Sequence, residues 1–308
     1  MKETKVKNAD ADMRLDRWFQ LHYPQVKHGE LSRALRTKLV RLNGKRAQAT
    51  DRLTAGDIIR HPEFEEGHAR PAKPSLTPEK VREVQEWVIF KNKDVLAINK
   101  PAGLPTQGGS KQIEHVDGLL PALQFDAASP PRLVHRLDKD TSGVLLLARH
   151  RKAAQALMRT FAAKQVEKTY WALVEGRLSE QEGEIKLPLL KKRISGQERV
   201  VVDKQEGKVA ITHFRRREVL GNRLSWVELW PLTGRTHQLR VHMEAIGHPI
   251  IGDGKYGGQQ SFPEGLNLDS QLHLHAAALV MDDCLGKPLH IEAPLPPHMQ
   301  RSWDVLGL

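Results

Sequence analysis

Between Leu133 and Ala148 the chain gathers His135, Arg136, Asp138, Lys139 and Asp140 in one polar turn between two apolar runs. Short apolar runs of this kind are strand signals, so the turn is expected at the mouth of a sheet, with carboxylates set among cations. Neighbouring cations favour the ionised form of a carboxylate, and an ionised carboxylate can serve as nucleophile or base at neutral pH. The same residues could instead build an Asx-type turn in which Asp138 or Asp140 caps backbone amides. Residue types and spacing leave both uses open.

Other chemistries are set aside on their own terms. Gly252-Asp-Gly254-Lys-Tyr-Gly257 satisfies G-x-G-x-x-G, but a polar stretch follows where a dinucleotide site requires a helix. His242-Met-Glu244 has the H-x-E of zinc deaminases, which also need P-C-x-x-C, and Cys284 is the chain's one cysteine. His237 and His242 stand five apart, off the i, i+4 spacing of a helical metal pair, and His273 and His275 share a strand face with no cysteine nearby. Structural or partner-contacting histidines are the reading, and neither metal nor cofactor is expected. A lone thiol excludes an intramolecular disulfide.

The elements that must hold the polar turn are mostly strands. Trp87-Val-Ile-Phe, Val95-Leu-Ala-Ile-Asn, Val144-Leu-Leu-Leu-Ala, Thr169-Tyr-Trp-Ala-Leu-Val-Glu and Leu224-Ser-Trp-Val-Glu-Leu-Trp all read as strands. Helices are expected over His150 to Gln165, with Ala154, Leu157, Met158 and Phe161 on one face, and over Thr236 to Ile246, stopped by Gly247. Strands and helices do not alternate strictly. An α+β fold on a mixed or antiparallel sheet follows, rather than a doubly wound parallel one.

Charge is concentrated elsewhere. The 308 residues hold 48 Lys+Arg against 37 Asp+Glu, a net +11, and Lys27 to Arg46 alone contains seven basic residues against one acidic. Such a surplus suits a polyanionic partner. Leu15, Trp18, Phe19 and Leu21 define the apolar face of one helix, and Leu31, Leu35 and Leu39 that of a second. Lys27, Arg33, Arg36 and Lys38 then face solvent, and Asn43-Gly44 marks a hairpin that carries Arg41, Lys45 and Arg46. Pro62, Pro71, Pro74 and Pro78 mark a linker. The expected division is a basic module at 12–60, a linker at 61–85 and a larger domain at 86–308. With no long apolar run and a polar start, neither a membrane span nor a signal peptide is expected, and the cytoplasm is the expected compartment.

The strings RLDRWF, SRALRTKLVRLNGKRA and LTAGDIIRH resemble the S4 RNA-binding domain over about fifty residues. HRLDKDTSG resembles the signature of the RluA family of pseudouridine synthases, and KTYWALVEG, LTGRTHQLRVHMEAIGHPIIGD and LHLHAAAL follow in the family's order. PLLKKRISGQERVVVDKQEGKVAITHF is most similar to RluC-type members. The resemblance implies an isomerase that converts uridines of large-subunit ribosomal RNA, free or in the assembling subunit, to pseudouridine without a cofactor, as a monomer. It implies Asp138 as the catalytic carboxylate, Arg136 as the side chain that enters the stack when the target base is flipped out, and Tyr170 as the ring on the uracil. Arg235 is implied as the cation paired with Asp138, and Leu274 as an apolar floor under the base. His135 and Lys168, inside the matched motifs, are expected to contact substrate, as are the basic residues of the first module. Transfer RNA as substrate, or a noncatalytic RNA-binding protein of the same fold, are the alternatives.

Overall fold

The computed structural model describes residues 1–64, 76–108 and 114–308, which fall into two compact units, Met1–Ser75 and Leu76–Leu308. The first contains β1 (Lys2–Lys5), α1 (Leu15–His22), α2 (His28–Arg36), β2 (Arg41–Leu42), β3 (Lys45–Arg46) and β4 (Ile58–His61). The strands form a sheet in the order β1-β4-β2-β3. Leu15, Trp18, Phe19, Leu31, Leu35 and Val40 make its core, each fully buried large side chain contributing roughly 1.5–3 kcal/mol. Asn43 (φ 50°) and Gly44 (φ 75°) turn the β2–β3 hairpin with two left-handed residues, as a two-residue loop of this kind demands.

Three expectations for this unit are corrected. Its sheet begins at Lys2, not near residue 12, because β1 pairs antiparallel with β4. Leu21 is exposed, and Tyr23, just beyond α1, enters the core instead. Leu39 is exposed as well: α2 stops at Arg36 and Lys38 turns left-handed, which brings Val40 inward.

The second unit holds α3 (Pro78–Glu86), β5 (Val88–Lys91), β6 (Val95–Lys100), α4 (Val116–Leu119), β7 (Arg132–Leu133), β8 (Ser142–Ala148), α5 (Arg151–Ala162) and β9 (Glu167–Glu175). After these come β10 (Glu182–Lys186), β11 (Leu189–Ile194), β12 (Gln197–Val202), β13 (Ile211–Leu220), β14 (Leu224–Pro231), α6 (Gln238–Ala245), β15 (Leu274–Met281), β16 (Leu289–Glu292) and α7 (Pro297–Leu306). Among the described residues ten strands form one sheet in the order β10-β13-β14-β9-β15-β8-β6-β5, with β16 beside β15 and β7 beside β8. Its pairings are antiparallel except β15 with β8, so the sheet is mixed. β11 and β12 form a separate ribbon.

Both faces of the sheet are covered. Val95, Ala97, Val144 and Leu146 pack with Ala153 and Leu157 of α5 on one face. Leu96, Ile98, Leu145 and Leu147 pack with Val84 of α3 and with Leu119 on the other. That double burial explains why β6 and β8 read as continuous apolar runs. At the parallel junction Gly143 (φ 109°) lies so close to β15 that a Cβ would stand 2.2 Å from the Ala276 carbonyl oxygen.

Two expectations change here too. Met158 of α5 is exposed, since the buried stripe is narrower than its apolar composition suggested. The predicted linker at 61–85 is shorter: His61 closes β4, and Pro78–Glu86 is a helix whose Gln85 side chain donates to the Ala122 carbonyl. Thr77 caps that helix through Lys80 N–H, with Pro78 in the first turn, a start signal that overrides the proline-rich context. Residues 65–75, with Pro71 and Pro74, lie outside the described residues.

Candidate active site

The polar turn between β7 and β8 is held from several sides. The Thr106 hydroxyl donates to the Leu137 carbonyl (2.7 Å) and accepts the Leu137 N–H (3.1 Å), while the Leu137 side chain is buried beneath. Lys100 Nζ, at the end of β6, donates to the carbonyls of Pro101, Leu104 and Lys139 at 2.7–3.0 Å. His135 Nε2 accepts the Leu146 N–H at 2.8 Å, and its ring stacks on Phe161. Burial, with the Lys168 charge second, pushes this histidine down to about 3, which keeps the ring neutral and the contact intact. A loop tied down this way presents its remaining side chains in fixed directions.

Asp138 is one of those side chains. Its Oδ2 accepts the backbone N–H of His237 at 3.3 Å, so its carboxylate meets a distant turn. It lines a cavity of about 900 Å³ with Arg136, Thr141, Lys168, Tyr170, Arg235, His237, Arg240 and Leu274 among the other lining residues. The volume lies in the range of small-ligand sites. Its lining residues include five Lys/Arg, Arg136, Lys164, Lys168, Arg235 and Arg240, against Asp138 and Glu167; with Arg240 neutralised by a buried carboxylate, Asp253, the remaining four still leave a balance suited to a polyanion.

Tyr170 extends from β9 between two apolar clusters. Burial first, and the Asp138 charge second, push its phenol far above its ordinary value. The hydroxyl therefore stays protonated and can donate but not act as a resting base. Leu274, at the start of β15, is buried against Ala172 and Leu229 while also lining the cavity. Lys168 is half-buried, and burial, then Lys164, lower its pKa. Arg136 stands exposed on the turn.

Arg235 departs from expectation. Its Nε donates to the Val209 carbonyl at 3.1 Å, and among the described residues no ion pair joins it to Asp138. The turn before α6 is instead organised by buried Gln238, which accepts Arg235 N–H and the Thr233 hydroxyl and donates to Ile211 and Thr212. That arrangement leaves the Arg235 side chain exposed and directed toward Val209.

The sequence reading missed Arg240, Asp253 and Tyr256. Arg240 makes a bidentate buried pair with Asp253, at 2.8 and 2.6 Å. Burial lowers the pKa of Arg240, but Asp253, with a further contribution from Asp138, outweighs it and leaves the guanidinium raised. Tyr256 Oη lies 2.6 Å from His237 Nδ1. The available signal was two opposite charges embedded in apolar strings, Leu239-Arg-Val241 and Ile250-Ile-Gly-Asp253, a pattern that calls for a paired burial.

Residues 94–245 match the family described as RNA pseudouridylate synthase, and this stretch includes the Asp138 turn, Tyr170 and the start of α6. The chain belongs to that family, whose members are enzymes that isomerise uridine to pseudouridine. More particularly, it is 38% identical over 300 residues to the ribosomal large subunit pseudouridine synthase C of Rickettsia bellii (strain RML369-C), covering 96% of this chain and 98% of that protein. The protein of the same name in Pasteurella multocida (strain Pm70) is 35% identical, covering 98% of this chain and 92% of its own. Among solved structures, human RNA pseudouridylate synthase domain containing 4 superposes with a TM-score of 0.61 at 26% identity, covering 74% of this chain and 95% of that one. No helix among the described residues is long and apolar enough to cross a membrane.

Proposed function

We propose that the chain isomerises uridines of large-subunit ribosomal RNA to pseudouridine, with the Asp138 carboxylate attacking the sugar or base or abstracting a sugar proton. The observation that carries the reading is the fixed Asp138 turn, opening with Tyr170 on a cavity rimmed by cations, in a chain matched almost end to end by proteins named for the large ribosomal subunit. The chemistry needs one carboxylate, a surface for the displaced uracil and exclusion of water, and no redox group.

In this reading the Tyr170 ring stacks on the uracil above Leu274, and its protonated phenol is a hydrogen-bond donor. Arg136, exposed on the turn, occupies the gap left in the stack once the uridine is flipped out, its planar guanidinium replacing part of the lost stacking. Lys168 and Arg235 face backbone phosphates, and His135 shapes the wall. Residues 2–61 act as an S4-like RNA-binding module and the unit from Leu76 as the catalytic domain. Naked or assembling large-subunit RNA is the partner, the protein works as a monomer, and the compartment is the cytoplasm.

A pseudouridine map of ribosomal and transfer RNA, with and without the protein, tests the substrate. Loss of modification confined to large-subunit RNA is expected, and loss confined to transfer RNA would overturn the assignment. Asp138→Asn should abolish turnover while RNA affinity stays within about threefold; residual turnover above roughly one per cent would rule out Asp138 as the reacting carboxylate.

A further inference from the structure

His237, the residue before α6, has φ 52° and ψ 22°. A residue with a Cβ rarely adopts this left-handed conformation and holds it only when its surroundings impose it. Here the conformation turns the His237 N–H out of the helix start and onto Asp138 Oδ2, 99 residues away in sequence. A backbone donor on a carboxylate makes a charge-assisted bond, and its value depends on the peptide plane not rotating.

The side chain of the same residue shows what fixes that plane. His237 Nδ1 lies 2.6 Å from Tyr256 Oη. That hydroxyl also accepts the Val200 N–H at 3.3 Å, so it is held from two sides, by the β12 backbone and by the His237 ring. Burial is the leading influence on both groups, lowering the histidine and raising the phenol, in keeping with a neutral ring facing a protonated hydroxyl. Tyr256 itself has little freedom. It is buried with Leu189, Val200, Ala210 and Val241, its N–H is held by Asp253 Oδ1, and the Arg240 and Lys255 cations lie 5.1 and 5.8 Å from its ring centroid.

We infer that Tyr256 is a positioning residue for the reaction: through its hydroxyl it locks the His237 ring, and so the left-handed backbone that keeps the His237 N–H on Asp138. Tyr256 need not touch the uridine. Because Val200 belongs to β12, the lock also joins the β11–β12 ribbon to the catalytic carboxylate through three successive hydrogen bonds. The inference rests on the reading of Asp138 given above, and its test is arranged so that the two can fail separately.

The test uses the full chain, a large-subunit RNA transcript as substrate, and single-turnover and steady-state pseudouridine formation. Tyr256→Phe should lower kcat about tenfold with KM within about twofold, since it loosens an interaction at the reacting group rather than RNA binding. At position 237 the backbone preference should dictate the order. Gly and Asn, which adopt positive φ readily, should exceed Val in kcat by about tenfold or more. With Gly at 237 the Tyr256→Phe change should have no further effect, because the ring through which the hydroxyl acts is gone.

Equal loss in the His237→Gly and His237→Val variants, or the same fall from Tyr256→Phe in both backgrounds, would overturn the lock. If Tyr256→Phe lowers the melting temperature too far for kinetics, the position-237 series decides through its comparison with wild type: Gly, with no ring for the hydroxyl to hold, should fall below His237 in kcat, and a His237→Gly variant equal to wild type would overturn the lock. Asp138→Asn runs alongside: full turnover there would remove the reading of Asp138, whereas an inactive Asp138→Asn with the wrong order at 237 would remove the Tyr256 inference alone.

Discussion

Lys100 Nζ, wholly buried, donates to the carbonyl of Lys139, the residue that follows Asp138 in the chain. Two more carbonyls, of Pro101 and Leu104, complete its cage. Burial pushes this lysine down to about 7 against the opposing pull of Asp140 and Asp138, yet three carbonyl acceptors all favour the ammonium over the amine. The cage therefore ties the end of β6, the strand next to the sheet edge, to the turn that presents the carboxylate. Lys100→Met relieves the cost of a buried charge but strips three carbonyls of their donor. Unsatisfied buried acceptors cost roughly 1–3 kcal/mol each, so the second effect wins, with a net loss of about 2–3 kcal/mol in denaturant unfolding. Turnover should fall further than stability alone explains at a temperature where the variant is fully folded, because Lys139 and its neighbour lose their anchor. A variant as stable as the wild type with unchanged kcat would show that the cage is incidental.

Acid sensitivity follows from a different pair. The Ser142 hydroxyl lies 2.9 Å from His275 Nδ1, and the Ala293 carbonyl accepts from Nε2 at 3.2 Å. Burial, only partly offset by the Ala293 carbonyl, pushes the pKa of this ring down to about 4, so it is neutral near pH 7; His273 is pushed to about 4 by burial and the neighbouring His298. In the unfolded chain these groups take up protons near pH 6.5, so between pH 6.5 and 4 the unfolded state binds more protons. Stability is then complete above pH 6.5 and is lost as the pH falls toward 4, by up to ~1.4 kcal/mol per pH unit for each histidine. Urea midpoints measured across that window should fall less steeply for His275→Asn than for the wild type, whatever the variant's starting stability. Parallel slopes would mean that the ring already titrates normally in the fold.

Much of the centre of this molecule was legible in the sequence, and the reason is physical. β6 and β8 announce themselves because both sheet faces are covered, and the Asn43-Gly44 turn because few other pairs accept two left-handed residues in succession. The polar turn around Asp138 was less legible: residue types and spacing left a reacting carboxylate and an Asx-type cap both open, and the resemblance of HRLDKDTSG to a family signature decided between them. Failures came where tertiary partners decide. Leu21, Leu39 and Met158 are apolar at helical spacing yet exposed, because a helix's buried width depends on what packs against it. Arg235 was assigned to Asp138 by its place in a motif, whereas the Gln238 hydrogen bonds that direct it toward Val209 join residues up to 27 apart. Tyr256 was hidden inside a string read as a rejected nucleotide fingerprint, and its partner His237 inside a rejected metal pair. Both strings invite a reading of side-chain chemistry, and what couples these two residues to Asp138 is a backbone N–H.

The last prediction concerns the first unit. Lys27, Arg33, Arg36, Lys38, Arg41, Lys45 and Arg46 are all exposed, and among the described residues none of them forms an ion pair. Seven unneutralised cations, on or beside α2 and on the β2–β3 hairpin, leave their charge available to phosphates, and each phosphate engaged releases condensed counterions on binding. Replacing Arg33, Arg36 and Lys38 together with Gln keeps the helix, since at 33 and 36 Gln is about as good a helix former as Arg, and at the left-handed position 38, beyond the helix end, it exchanges one long unbranched side chain for another. Affinity for large-subunit RNA should drop, and the slope of log affinity against log salt should flatten by roughly 0.7–0.9 for each phosphate left without its cation, about two units if all three side chains touch phosphate. At saturating RNA, kcat should be unchanged, because the Asp138 turn lies in the other unit. Preference for large-subunit RNA over transfer RNA should shrink as the slope does. An unaltered slope would mean that this basic face meets no phosphate and that the catalytic unit alone selects its RNA.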